Sequence, residues 1–585
     1  MNNEWSLKVF YEGYDDPSFL RDFEESEKLA KRLQNLMPEI KGQDTLQALT
    51  IIVSCKESFK TCIGKLFEYL CLRQATNTTD SETNGYLSKY HQIAASVSGA
   101  EAAINAYIAG IPETELKKCM EQSEMLSAYA FYFENIRRAA AHQFSEEIER
   151  MVAKMNLSGG NAWSRLFDYL TSTVKVDYEG EKITLPAVRN LAYDSDKEVR
   201  KKAYEAELAS YSQIDGAIAF ALNSIKSQVN MLSTERGYHS PLEMTLQHSN
   251  MKAETLDAMI TAIKEYLPLF QKYLKAKASY LGYENGLPWF ELFAPLGKTD
   301  KKYTLEETKS YLVDTFREFS DDMADMMERA FDEEWIDFYP HEGKVGGAFC
   351  SEVTHACQSR ILTNFNGTFD SVDTLAHELG HAYHSQQVFS HRIMNQQYPM
   401  QLAETASTFN ETHLMRHAIK AASPDEELAL LDSFLSGTTQ TVCDILSRFL
   451  FEDAVFSKCK EQFLMPDDLK AIMLDAQQQA FGDSIDKEYR HPYMWACKVH
   501  YYSEELSYYN FPYAFGSLFA MGLYTQFEKE GSAFVEKYKK LLHATSVKSI
   551  EETALMAGID VTKPDFWRES LAAFEPFVNK FVTFM

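Results

Sequence analysis

The sequence predicts a mainly α fold with a small β element, on three observations. Apolar residues recur at three- and four-residue spacing through charged stretches at 22–36, 45–72, 88–107, 115–138, 145–155, 197–232, 252–281, 305–334 and 425–460, the period of amphipathic helices. Alternating, β-prone stretches are few. The pentapeptide His377-Glu378-Leu379-Gly380-His381 lies inside a helical pattern that follows one of them. The longest periodic stretches exceed an ordinary globular helix and are expected to break into shorter ones. Residues 174–185 read as a hairpin turning at Glu179-Gly180. Residues 348–351 and 361–365 read as short strands that pair beside the helix carrying the pentapeptide.

After 361–365, Asn366-Gly367 marks a tight turn. Asp370 is the expected N-cap of the next helix, with Asp373 in its first turn. Val372, Leu375, Ala376, Leu379, Ala382 and Tyr383 give that helix an apolar stripe, while His377, His381 and His384 fall on another face. Histidines four residues apart sit one turn apart and can reach one metal ion. Glu378 follows about 100° around the helix, beside the metal, where a carboxylate can take a proton from a polarised water. By composition such a pentapeptide arises in roughly one chain in thirty of this length, so its surroundings decide its meaning.

A zinc hydrolase needs a third protein ligand and an open position. Glu404, in a helix expected to begin after Pro399, is the best candidate. Glu411 shares its face seven residues on and is placed to accept the second ring N–H of a ligand histidine. Taken alone, both read equally as solvated glutamates of an acidic chain. His384 is expected to be a hydrogen-bonded neighbour, because a fourth protein ligand would close the site.

The 585 residues carry 85 acidic and 58 basic side chains, a net charge of −27. That balance opposes nucleic acid and anionic membranes as partners. The nine cysteines form no C-x-x-C pair, so a thiolate zinc cluster of that kind is not expected. Their odd number and the absence of a leader pattern at the N-terminus point to reduced thiols in the cytoplasm. The longest apolar stretch, 511–524, falls short of the ~20 residues that span a bilayer.

These motifs resemble the M3 family of zinc oligopeptidases, in particular its oligoendopeptidase F branch. The resemblance rests on five elements in order: Trp5 to Tyr11 with Asp15-Asp16-Pro17, Gly343 to Cys350, His377 to His384, Ala403 to Glu411, and His500 to Gly516. Phe349 stands where a tyrosine is common, and Gly346-Gly347 is richer in glycine than usual. The resemblance implies two helical lobes enclosing a deep substrate channel. It implies one Zn2+ per chain, bound by His377, His381 and Glu404, with Glu378 as general base. It also implies that His500 and one or two of Tyr508, Tyr509 and Tyr513 bind substrate and hold the oxyanion. The substrates would be short peptides cut internally. Gly346, Gly347, Ala348 and Phe349 are expected to offer a strand edge to an extended peptide, the glycines allowing close backbone approach.

A soft boundary near residue 190 divides the expected fold into an N-terminal helical lobe, 1–190, with the hairpin near its end, and a catalytic domain, 191–585. A monomer or small homo-oligomer is expected. Two rival readings are a silent peptide-binding scaffold, which would lack a ligand or the base, and another zinc hydrolase such as an aminopeptidase, which would need a device for the substrate's free amine.

Overall fold

Several helices begin where a side-chain oxygen precedes a periodic run, and in the computed structural model, which describes residues 2–297 and 301–584, helices carry most of the chain. The carboxylate of Asp16 accepts the Ser18 N–H at the start of Pro17–Gln34, and that of Asp44 accepts the Gln47 N–H at the start of Thr45–Thr76. Thr304 and Glu307 cap Leu305–Arg317 reciprocally. The long stretches break as expected. Residues 88–107 fall in two helices, Ser81–Ser96 and Ser98–Gly110, and 197–232 in Lys197–Tyr211 and Asp215–Glu235. The 425–460 stretch contains a π turn, Gln440–Asp444, between Pro424–Thr439 and Ile445–Lys458. No helix among the described residues is long and apolar enough to cross a membrane.

The hairpin pairs β1, Lys175–Tyr178, with β2, Glu181–Thr184, around Glu179 and Gly180, both at positive φ. The second sheet holds β3, Ile336–Asp337, β4, Phe349–Val353, and β5, Gln358–Leu362, in the order β3-β5-β4. β5 is parallel to β3 and antiparallel to β4, with Cys350 opposite Ile361. The expected strand at 361–365 therefore lies three residues earlier. β4 is an edge strand and packs on the helix Phe369–Val388 that carries the histidine motif.

The chain divides into two compact units, each gathered from three stretches. The first comprises Met1–Ala141, Asp300–Leu414 and Lys529–Gly558, and the second His142–Thr299, Met415–Glu528 and Ile559–Met585. The expected division at residue 190 does not describe this arrangement, and the hairpin belongs to the second unit. Helices that pack together here are distant in sequence, and composition carries no mark of that. In the first unit, Thr45–Thr76 runs through the core with Ile52, Leu66 and Leu70 fully buried. Phe19 and Tyr69 meet edge to face across that core.

The second unit buries a fully enclosed ion pair, Lys226 Nζ to Glu452 Oε1 at 2.6 Å. The same Oε1 accepts the Tyr508 N–H at 3.1 Å. Lys226→Met strands a buried carboxylate and is expected to cost about 3–5 kcal/mol. Lys226→Met combined with Glu452→Gln, which keeps an acceptor for Tyr508, is expected to recover most of that loss. Urea denaturation midpoints of the two variants check the difference.

Candidate active site

The motif helix is capped by Thr368, not Asp370: its hydroxyl accepts the Ser371 N–H, and Gly367 at φ +79° supplies the turn before it. The predicted stripe from Val372 to Tyr383 is buried. His377 and His381 project from the other side, with side chains 25% and 20% exposed, so a ligand can reach them.

The opposing carboxylate comes from a broken helix. Met400–Ala403 follows Pro399, Glu404 at φ −85° and ψ +7° interrupts the spiral, and Thr405–Ala421 resumes it. Glu404 Oε2 lies 3.4 Å from Nε2 of both His377 and His381, and the two Nε2 atoms are 3.2 Å apart. A tetrahedral metal with bonds of about 2.0–2.1 Å holds its ligands about 3.3–3.4 Å from one another. The three donors are therefore spaced for one small divalent ion, and their two imidazoles and one carboxylate suit it chemically.

Glu411 Oε1 stands 2.7 Å from His377 Nδ1. An Nδ1–H donated to that carboxylate leaves the Nε2 lone pair for the metal side. Ser407 Oγ donates to Glu404 Oε2 at 2.7 Å and holds the third donor in place. Burial raises the Glu404 pKa, yet the hydrogen bond and charge of His381, with His377 and Ser407, bring it to about 2. Burial lowers that of His377, but Glu411, Glu378 and Glu404 raise it to about 9. The pocket is thus arranged around positive charge. Glu378 is 6% exposed; burial lifts its carboxyl above the ordinary range against the pull of both histidines, with Glu404 and Glu411 adding to the rise.

His384 lies apart from the donor triad. Its ring is fully buried and stacked on Tyr398 at 4.0 Å, and its Nε2 meets Thr545 Oγ1 at 2.8 Å. Burial, with the charge of His381, lowers its pKa to about 3, so it is a neutral packing residue.

Sequence reasoning missed Gly380, Ser407 and Asn410. A Cβ on Gly380 would stand 2.6 Å from Ala406 O and Ser407 Cα. The two helices meet backbone to backbone there, and Asn410 Nδ2 donates to Ala376 O at 3.0 Å across the same contact. A glycine inside a helical pattern was the available signal.

Gly346 and Gly347 lie exposed in the loop leading into β4, with Ala348 and Phe349 half-buried. Asn364 Nδ2 donates to Val345 O and Gly347 O, and Lys344 Nζ pairs with Asp337 at 2.5 Å, so the loop is pinned.

In the second unit His500, Tyr509 and Tyr513 form one aromatic cluster. His500 lies over Tyr509 with ring centroids 5.7 Å apart, and Tyr513 Oη is 3.5 Å from His500 Nε2. Burial, with the charges of Arg448 and Lys498, lowers the His500 pKa to about 4, leaving a neutral imidazole. Tyr508 is committed elsewhere. It is 2% exposed, stacks on Phe456, donates its hydroxyl to Asp453 at 2.9 Å and adopts φ +55°.

In a mainly helical chain, two motif histidines and an opposing glutamate that converge on one point are a donor set of the metallohydrolase kind. The sequence profile of peptidase family M3 matches residues 190–573, and that of Oligopeptidase F matches 108–175. The chain belongs to peptidase family M3, and is a metallo-endopeptidase of the oligoendopeptidase F branch. It is 26% identical to Oligopeptidase PepF of Bacillus subtilis over 96% of this chain and 84% of that one. It is 25% identical to Group B oligopeptidase PepB of Streptococcus agalactiae over 91% and 89% of the two chains. Among solved structures, a Chlamydophila abortus protein described as a candidate peptidase has the same fold at TM-score 0.86 and 21% identity, covering 100% of this chain and 98% of that one. Oligoendopeptidase-F of Enterococcus faecium matches at TM-score 0.71 and 19% identity, covering 96% and 98%.

Gly380→Ala is expected to force the two helices apart and to cost about 1–3 kcal/mol or more. Gly437→Ala, where an added Cβ meets nothing within 4 Å inside a helix, is the control and is expected to be neutral or stabilising. Melting temperatures of the two variants check this.

Proposed function

We propose that the chain is a zinc-dependent endopeptidase that hydrolyses internal bonds of short, unfolded peptides, with one catalytic Zn2+ held by His377, His381 and Glu404. The observation that carries this reading is the 3.2–3.4 Å convergence of those three donors beside the buried carboxylate of Glu378. When bound, the ion acts as a Lewis acid that polarises a carbonyl and acidifies water.

Glu378 is assigned as general base, taking the proton from the attacking water and returning it to the leaving amine. Its buried carboxyl directly follows the proposed ligand His377 in the motif helix. Glu411 fixes the His377 tautomer. His500, Tyr509 and Tyr513 are assigned to substrate binding and to the developing oxyanion. A neutral imidazole and phenol hydroxyls can donate hydrogen bonds there without adding a fixed charge. Gly346 to Phe349, continuous with the β4 edge, is assigned to pair with an extended peptide, which tolerates varied side chains. The restriction to short peptides draws on the relatives named oligopeptidases. The nine free thiols fit the cytoplasm.

Glu378→Gln is expected to retain the fold and the metal while turnover falls ~10²–10⁴-fold. Metal analysis alongside peptide hydrolysis tests it, and near-normal hydrolysis by this variant would sink the mechanism.

Among the tyrosines, Tyr509→Phe or Tyr513→Phe is expected to lower kcat with little change in KM, at about 2.7–4 kcal/mol for one oxyanion donor. Tyr508→Phe is expected to leave kcat in place and to lower the melting temperature, since its hydroxyl serves Asp453. Steady-state kinetics and melting curves on the three variants separate catalysis from packing.

A further inference from the structure

A second set of convergent donors lies in the second unit and shares no residue with the triad above. Glu207 sits one turn before the end of Lys197–Tyr211. His491 precedes, and Cys497 ends, the short helix Met494–Cys497. His491 Nε2 is 3.6 Å from Glu207 Oε1 and 4.0 Å from Cys497 Sγ, and Sγ is 3.6 Å from the same Oε1. Tyr211 Oη lies 2.9 Å from both Glu207 Oε1 and Cys497 Sγ. Arg189 Nε approaches Glu207 Oε1 at 3.4 Å. The cluster is enclosed: His491 is 2% exposed and Tyr211 fully buried. His491 Nδ1 has no hydrogen-bond partner, so the ring's polar interactions all run through Nε2, into the cluster.

We propose that Glu207, His491 and Cys497 form a second metal site, for a zinc-class divalent ion, with the Tyr211 hydroxyl beside it. A thiolate, an imidazole and a carboxylate are the donor types zinc takes, and the thiolate selects against magnesium and calcium. With bonds of about 2.3 Å to sulfur and 2.0–2.1 Å to nitrogen and oxygen, tetrahedral ligands stand about 3.3–3.6 Å apart. The observed separations of 3.6 to 4.0 Å require the side chains to close by a few tenths of an ångström. The Glu207 carboxylate and the Cys497 thiolate balance the charge of a divalent ion, the imidazole binds in its neutral form, and Arg189 stays as the carboxylate's cationic neighbour. On binding, the Cys497 thiol releases its proton to solvent. The ion would tie the helix Lys197–Tyr211 to the segment that continues, three residues after Cys497, into His500. Its role would be to hold that segment in place.

Cobalt substitution tests this, because a cobalt–thiolate bond gives a near-ultraviolet charge-transfer band that a site of two imidazoles and a carboxylate cannot give. The full chain is stripped of metal, loaded with Co2+ and assayed for metal content and absorption. The wild type is expected to bind about two equivalents and show the band. His377→Ala is expected to keep the band and one equivalent, and Cys497→Ser to lose the band and one equivalent. His491→Gln serves in place of Cys497→Ser should that variant not fold. A wild type with one equivalent and no band, or a band that survives Cys497→Ser and His491→Gln, overturns the proposal and leaves the cluster a metal-free hydrogen-bonded group. Loss of metal in His377→Ala reports on the catalytic site alone, so the two readings fail separately.

Discussion

The first unit's site depends on one close contact between two helices. Because Gly380 has no side chain, the backbone of Ala406 and Ser407 can lie where a Cβ would otherwise be. That approach brings Glu404, just before this stretch, to 3.4 Å from both histidine Nε2 atoms. It also brings Glu411, two turns later, to His377 Nδ1 on the ring's far side. The proposed metal-binding carboxylate and the carboxylate on the His377 ring thus flank the same backbone contact, and their positions are set together. The helix break at Glu404 completes this, because a regular spiral through 403–405 would aim that carboxylate differently.

Charge follows from the same packing. Three carboxylates around two half-buried imidazoles make a pocket in which positive charge is stabilised, as the opposite shifts of Glu404 and His377 express. Glu378 differs from Glu404 because it has no direct hydrogen bond to either histidine to offset its burial. Two glutamates on adjacent helices are therefore shifted in opposite directions, Glu404 down and Glu378 up. The second unit supplies the reverse environment, where burial, helped by the charges of Arg448 and Lys498, keeps His500 neutral.

Local rules carried much of this into the sequence. Four-residue spacing places His377 and His381 on one face, and the seven-residue spacing of Glu404 and Glu411 gives them related but distinct targets. The hairpin at Glu179-Gly180 and the pairing of the two short strands are equally local, since turn chemistry and alternation specify them. What was illegible is non-local. The two compact units each draw on three separate stretches, and no composition shift marks such a division. Gly380 reads as a mild flaw in a helix until its partner backbone is seen. Tyr508 reads like Tyr509 and Tyr513, yet Asp453 and Phe456, more than fifty residues earlier, claim its hydroxyl and ring.

Both units use buried ion pairs to pin the loops that carry candidate functional residues. Lys344 and Asp337 lock the stretch that continues into Gly346 and Gly347, and Lys344 Nζ also donates to Tyr339 O. The Glu452 carboxylate, fixed by Lys226, accepts the backbone N–H of the turn at Tyr508, a non-glycine residue in the left-handed region. Such pairs add little net stability, because desolvation offsets most of their attraction. Their effect lies in what separation would cost. The loop at Lys344 cannot swing away without leaving a charge unpaired in a dry interior, whereas the turn at Tyr508 is held by the hydrogen bond its N–H gives to the paired Glu452 carboxylate. A glycine-rich backbone and a turn at positive φ are the segments that conformational entropy would otherwise spread over many states. Pinning them with ion pairs fixes their geometry before any substrate arrives, so binding need not supply that ordering.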